Sequence, residues 1–231
     1  MEKHVYIVWR KTGQSKEQFN LKLRTELAPA LQAQGAAGVQ LNLMDQHVEP
    51  ASGLRRGTFQ AEQDGYISFW LPSRHARHPL EGSLKESCSR IAGYIVCESE
   101  AIVNTQHRVA AGERTPALSQ LVCIQRPPRL TYEAWLDYWL NTHTKVGIET
   151  QSNFQYTQNI VVQSLHFDAP ALDAIVEECF PEEAMTSLHV FYDAVGDDEK
   201  MQKNLGIMMD SCSKFLDMDR IDVCPTSQYK F

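Results

Sequence analysis

A chain of 231 residues that is 43% hydrophobic and 22% charged can bury a core without disulfides or metal, as one ordinary domain or two small ones. A net charge of −7, with no Lys/Arg run longer than Arg55-Arg56 in RRGTF, excludes nucleic acid and an anionic membrane surface as expected partners. No apolar run could span a bilayer, and the N-terminus MEKHVYIVWRKTG lacks a signal-peptide layout. Six scattered cysteines without a CxxC pair (Cys88, Cys97, Cys123, Cys179, Cys212, Cys224) read as reduced thiols, so a cytoplasmic protein is expected.

The first strand is expected near Val5–Arg10 and the first helix near Ser15–Gln34, with Ser15 and Glu17 in its opening turn and Gly35 at its stop. Pro29 falls inside that helix and predicts a kink or an early end near Ala28. Strands near Val39–Val48 and Tyr66–Leu71, a helix near Pro79–Ile91 and a strand near Tyr94–Val103 complete a β-α-β-β-α-β series. The stretch Val109 to Pro116 (VAAGERTP) reads as a linker. The same series follows again. Strands are expected near Leu121–Arg126, Gln155–Val162, Ala174–Phe180 and Ile221–Tyr229, and a helix near Thr131–Gln151. A long helical region from Pro181 to Leu216 is expected to break at Gly196.

The two series match at scattered positions whose offset drifts along the chain. VYIVWR, ending at Arg10, is echoed by LVCIQR, ending at Arg126, and SKEQFNLKL has the layout of TYEAWLDYW. Both matches share an offset of 116, which pairs Ser15 with Thr131, Phe19 with Trp135 and Leu23 with Trp139. Further on, Asp64 aligns with Asp173, Pro72 with Pro181, and Val96-Cys97 with Val223-Cys224. The order of matches is kept along the whole chain, as in an internal repeat. One β-α-β-β-α-β unit is ferredoxin-like, with one sheet face covered by helices and the other bare. Two units can bury their bare faces against each other. The expected fold is therefore α+β: two ferredoxin-like repeats, residues 1–112 and 113–231, forming a pseudo-dimeric α+β barrel in one chain.

Candidate chemistry concentrates in the second series. Trp135, Trp139 and His143 are spaced i, i+4, i+8 and form one helical stripe, with the imidazole at the rim of an apolar interior. A titratable group there needs a satisfying partner or a job, and a core histidine bonded to a backbone carbonyl is the competing reading. On the next strand, Tyr156 and Asn159 point to opposite faces unless a bulge intervenes, whereas Tyr156 and Gln158 share one. Asp173 opens the third strand as Asp64 does, which favours a turn role. Tyr138 is one helical step from Trp139, and Trp9 and Trp70 lie on first-series strands where a closed barrel could turn them toward a pocket; packing is the better reading of each.

The helix Trp135-x-x-Tyr138-Trp139-x-x-x-His143, followed by Tyr156-x-Gln158-Asn159, then AIVEECF and SKFLDMDR, resembles the EthD-like family of the dimeric α+β barrel superfamily. The resemblance covers nearly all of the second series; in the first, the position matching His143 is Leu27. It implies a cofactor-independent enzyme acting on a hydrophobic aromatic or polyketide-like compound by proton transfer, of lyase, decarboxylase or isomerase type. In that reading His143 is the base, Tyr156 or Asn159 polarises a carbonyl or phenol, and Trp139, Tyr138, Trp9, Trp70 and Asp173 are candidates to bind substrate. Two other readings come with it: a non-catalytic accessory or binding protein of a degradative oxygenase system, and a haem-binding member with His143 as axial ligand. No metal site is expected, since His75 and His78 in SRHARHP have no carboxylate or cysteine cluster beside them. GxGxxG, GxxxxGK[ST] and GxSxG are all missing. Whether two chains pair further as a homodimer stays open.

Overall fold

The strands are β1 (Glu2–Trp9), β2 (Ala37–Leu43), β3 (Gly65–Leu71), β4 (Arg90–Ile102), β5 (Leu118–Ile124), β6 (Gln155–Ser164), β7 (Ala174–Phe180) and β8 (Ile221–Lys230). In this computed structural model, which describes residues 1–58 and 62–231, they close into an antiparallel barrel ordered β1-β3-β2-β8-β5-β7-β6-β4. Phe59, the last residue of the RRGTF run, lies outside the described residues. Within the first four strands the order is β4-β1-β3-β2, and within the last four it is β8-β5-β7-β6, the same pattern. Two seams join these groups: β2 pairs with β8, and β4 with β6.

Strand alternation sorts the side chains. Val5, Ile7 and Trp9 of β1 pack with Tyr66, Tyr94, Leu121, Cys123, Ile175 and Cys224, an apolar cluster drawn from both groups of strands and therefore inside the barrel. The opposite strand faces carry the helices. These are α1 (residues 16–33) and α2 (Arg77–Ser87) over the first group, and α3 (residues 132–150) and α4 (Asp198–Phe215) over the second. Gly93 lies opposite Tyr6, and a Cβ there would stand 2.5 Å from the Tyr6 ring, so only glycine lets that ring lie across β4.

The interior is not wholly apolar. The Glu177 carboxylate, 3% exposed, accepts hydrogen bonds from Asn42 Nδ2 (2.7 Å), Gln228 Nε2 (2.7 Å), Gln40 Nε2 (2.8 Å) and Ser119 Oγ (3.0 Å). These donors come from β2, β5 and β8, so the carboxylate ties β7 across the β2–β8 seam. A buried charge is tolerated there because its lone pairs are matched.

The first helix of each group carries a π turn, Leu23–Leu27 in α1 and Trp139–His143 in α3, at positions related by the offset of 116. In each, an N–H donates five residues back, from Ala28 to Leu23 O and from Thr144 to Trp139 O. Pro29 follows the first π turn without ending the helix, because it sits in the opening turn of the next helical piece, where its missing N–H costs little. Lys145 stands at the matching place in α3, so the proline is not the cause of the turn. Ser15 and Thr131 cap the two helices. At the strand ends, Asp64 and Asp173 accept from the backbone N–H of Arg10 (2.9 Å) and Arg126 (2.7 Å).

Some boundaries differ from expectation. The strand expected to reach Val48 stops at Leu43, because Asp45 caps a 3-10 stretch, Gln46–Leu54, by accepting from His47 N–H. The region from Pro181 to Leu216 divides at Gly196 (φ +76°) into a single turn, Leu188–Phe191, and α4, which Asp197 caps. One match shifts. Tyr94 lies opposite Val5 as Cys224 lies opposite Leu121, so Tyr94, rather than Cys97, occupies the place of Cys224. The linker is tied down, with Gly112 N–H donating to Lys230 O and Thr115 N–H to Gln228 O.

Candidate functional site

The helix-facing side of β5, β7 and β8 does not meet α3 and α4 tightly everywhere. A cavity of about 230 Å³ remains between them, lined by Trp139, His143, Tyr156 and Glu178 among apolar side chains. Met208, Met209, Cys212 and Met218 supply a sulfur-rich wall, and Leu54, from the 3-10 stretch of the first half, borders it.

The π turn of α3 sets the positions. Thr144 Oγ1 donates to Trp139 O (2.8 Å) and accepts from Gln158 Nε2 (2.8 Å), which fastens the turn to β6. The Trp139 indole N–H donates to Tyr156 Oη at 3.1 Å. Trp135 and Trp139 are both fully buried, with ring centroids 5.3 Å apart, and truncating either to alanine removes about 3–5 kcal/mol of packing. His143, the last residue of the turn, lies 4.3 Å from the Phe215 ring, centroid to centroid. Its Nδ1 is 2.9 Å from Ser211 Oγ, and Ser211 in turn is 3.4 Å from the Tyr138 hydroxyl.

Of the residues singled out in the sequence, His143, Tyr156 and Trp139 therefore share one cavity, and Tyr138 stands outside its lining, against Phe215 and Ser211. Asn159 is on the other face of β6, inside the barrel, donating to Ile175 O at 3.0 Å. Trp9 packs in the interior cluster beneath the Arg90 guanidinium, and Trp70 flanks Gly38; both are remote from this cavity's lining. Asp173 holds the Arg126 N–H at a strand end.

Glu178 was hidden in the sequence. Period-two alternation puts it on the opposite face from Glu177, but an EE pair in an apolar strand carries no sign of which faces a cavity. Its carboxyl lines the cavity and accepts from Asn153 Nδ2 (2.9 Å). Burial pushes it up to about 7, against a smaller opposing effect of Asn153, and burial alone lowers His143 to about 4. The phenol of Tyr156 is raised too, by burial and then by Glu178. Between pH 4 and 7 the cavity thus holds an uncharged imidazole and a largely protonated carboxyl.

These two shifts have opposite linkage. Glu178 binds its proton more tightly folded than unfolded, so its contribution is full below 4.5 and fades as pH rises to 7. His143 binds its proton less tightly folded, so its contribution grows from pH 4 to 6.5. Relative to wild type, Glu178→Gln should gain stability as pH rises from 4.5 to 7, and His143→Gln should lose it from 4 to 6.5. Each slope is at most about 1.4 kcal/mol per pH unit. Urea unfolding over a pH series checks both. Other buried histidines, such as His4, cancel in the difference.

Among the described residues no cluster of three or more His, Cys, Asp or Glu could hold a metal ion, and no helix is long and apolar enough to cross a membrane. Residues 127–219 match the EthD domain. Among curated proteins none matches the chain. The crystal structure of an anthrone oxidase-like protein superposes with TM-score 0.53 at 8% identity, covering 100% of this chain and 91% of the other. A mutant chlorite dismutase from Candidatus Nitrospira defluvii gives TM-score 0.48 at 8% identity, covering 98% of this chain and 91% of the other. At such identity the first likeness speaks for the fold alone. Residues 127–219, most of the second half of the chain, are thus similar to an EthD domain, and the eight strands of the whole close into one antiparallel barrel.

Proposed function

We propose that the chain is two ferredoxin-like repeats, residues 1–112 and 113–231, acting as a pseudo-dimer with one working site. That site serves a small cofactor-independent enzyme, which acts on a hydrophobic aromatic or polyketide-like compound by proton transfer around His143. The observation that carries this is the cavity: an apolar pocket at the helix–sheet boundary with an imidazole, a phenol and a carboxyl turned into it. Proton transfer, of isomerase or lyase type, needs only groups that take and return one proton near neutral pH, with a hydrogen bond to a carbonyl or phenol oxygen.

His143→Ala should abolish turnover, or the change in Trp139 fluorescence on titration with naphthol-sized aromatics, while the far-ultraviolet circular dichroism stays that of wild type. Leu27→Ala, at the matching place in α1, should instead cost about 2–5 kcal/mol in urea unfolding, since Leu27 is 3% exposed in a leucine-rich core. A His143→Ala protein that unfolds yet keeps full activity per folded molecule would make the histidine structural.

A second reading keeps the cavity and drops the chemistry. Met208, Met209 and Met218 are flexible thioethers that adapt to shape, which favours a binding or accessory protein. Ligand response without turnover distinguishes it. A haem does not fit: a porphyrin is far larger than a naphthol, and the cavity of about 230 Å³ is below the usual range for ligand pockets of about 300–1,000 Å³.

A further inference from the structure

We propose that Glu178 is the group that carries the proton in this cavity, and that the substrate is a neutral aromatic ketone or phenol bound with its oxygen at Tyr156. The inference rests on the functional reading above and names its acid–base group and substrate class.

The geometry argues first. Glu178 and Tyr156 are neighbours across β7 and β6, paired in register, and both side chains leave the sheet toward the helices into the same space. The Glu178 carboxyl has one protein donor, Asn153 Nδ2, which leaves acceptor capacity for a ligand. The titratable groups around it are Tyr156 from β6, His143 from α3, Cys212 from α4 and Tyr192 just before α4; none is a cation at neutral pH. Among the described residues no Lys or Arg lines the cavity. An organic carboxylate would therefore meet Glu178 without a counter-charge, whereas a neutral carbonyl would not.

The protonation states agree with that division of labour. A base works best with its pKa near the working pH, and burial places Glu178 there, while His143 has been made a much weaker base and is held at Nδ1 by Ser211. The imidazole then acts as a neutral hydrogen-bonding partner to the ligand. In the step itself, Glu178 carboxylate takes a proton from the carbon next to the carbonyl. The C–H pair forms the C=C bond, the carbonyl π pair moves to oxygen, and the Tyr156 O–H donates a hydrogen bond to the enolate. Return of the proton, to the same carbon or a conjugated one, restores the carboxylate. No electrons leave or enter.

The test uses 2-tetralone, a neutral bicyclic aromatic ketone, with the full chain in D₂O. Proton NMR follows exchange of its α-hydrogens, and tryptophan fluorescence follows binding. Wild type should exchange them faster than buffer, with kcat/KM rising through an inflection near pH 7. Glu178→Gln should still bind but lose about 100-fold or more of the rate together with the inflection. His143→Gln should lower the rate and keep the inflection. In wild-type protein labelled with ¹³C-glutamate, one carboxyl carbon should titrate near pH 7, and that signal should be missing from Glu178→Gln. Exchange that survives in Glu178→Gln overturns the proposal, as does a Glu178 carboxyl titrating in the ordinary range. Binding of 2-tetralone without exchange in wild type overturns it too, and leaves the cavity reading intact. If 2-tetralone does not bind, that reading falls and takes the proposal with it.

Discussion

Glu177→Ala is expected to destabilise the fold by about 3–5 kcal/mol, the cost of leaving several buried neutral donors without their shared acceptor. The carboxylate is the shared acceptor for Asn42, Gln228, Gln40 and Ser119. Its removal strands donors on three strands in a space closed to water, and each unmatched donor costs about 1–3 kcal/mol unless it finds another partner. Asn42 and Gln40 already bond each other, so relaxation recovers a part. Glu177→Gln, which keeps one acceptor oxygen, should lose less. Urea unfolding at neutral pH separates the two variants, and a loss below about 1 kcal/mol for Glu177→Ala would mean that the network contributes little to barrel closure.

The other large effect is expected from cutting the chain. Residues 1–112 alone would leave β2 and β4 as open edges, and residues 113–231 would leave β6 and β8, while each would bare the apolar strand faces that now meet inside the barrel. Open edges beside an exposed apolar face favour self-association. Expressed separately, both pieces should be insoluble or associate, as judged by size-exclusion chromatography. Two soluble monomers with sharp melting transitions would overturn the view that the halves fold as one cooperative unit.

Local signals carried much of this architecture. Strand β7 runs from Ala174 to Phe180 as its apolar run predicts, and α3 follows the caps and the tryptophan stripe from Thr131 onward. The aspartates at 64 and 173 were readable as a pair because a strand-end hydrogen bond needs the same short side chain in both places. What stayed illegible depends on distant partners. Nothing near Glu178 in the chain says that α4 stands off from it, because the gap is set by Met208, Cys212 and Phe215, on a helix some thirty residues further on (215 − 178 = 37 at most). The donors to Glu177 lie 51 to 137 residues away. The π turns were likewise silent, since Leu23–Leu27 and Trp139–His143 share no residue type that marks a widened turn. The Val-Cys match between β4 and β8 misled because each strand holds one such dipeptide, and a two-residue match does not fix a register.

Closure by a single chain also releases the barrel from two-fold symmetry. In a pair of identical subunits every substitution appears twice, so a cavity opened under one helix opens under its mate, with the packing loss doubled. Here the two sides have parted. Beneath α1 and α2, Leu27 joins Leu80 and Leu84 in a filled core, while beneath α3 and α4 the matching position is His143 above a cavity. A single chain can therefore keep a polar-lined hollow on one side at the packing cost of one cavity rather than two.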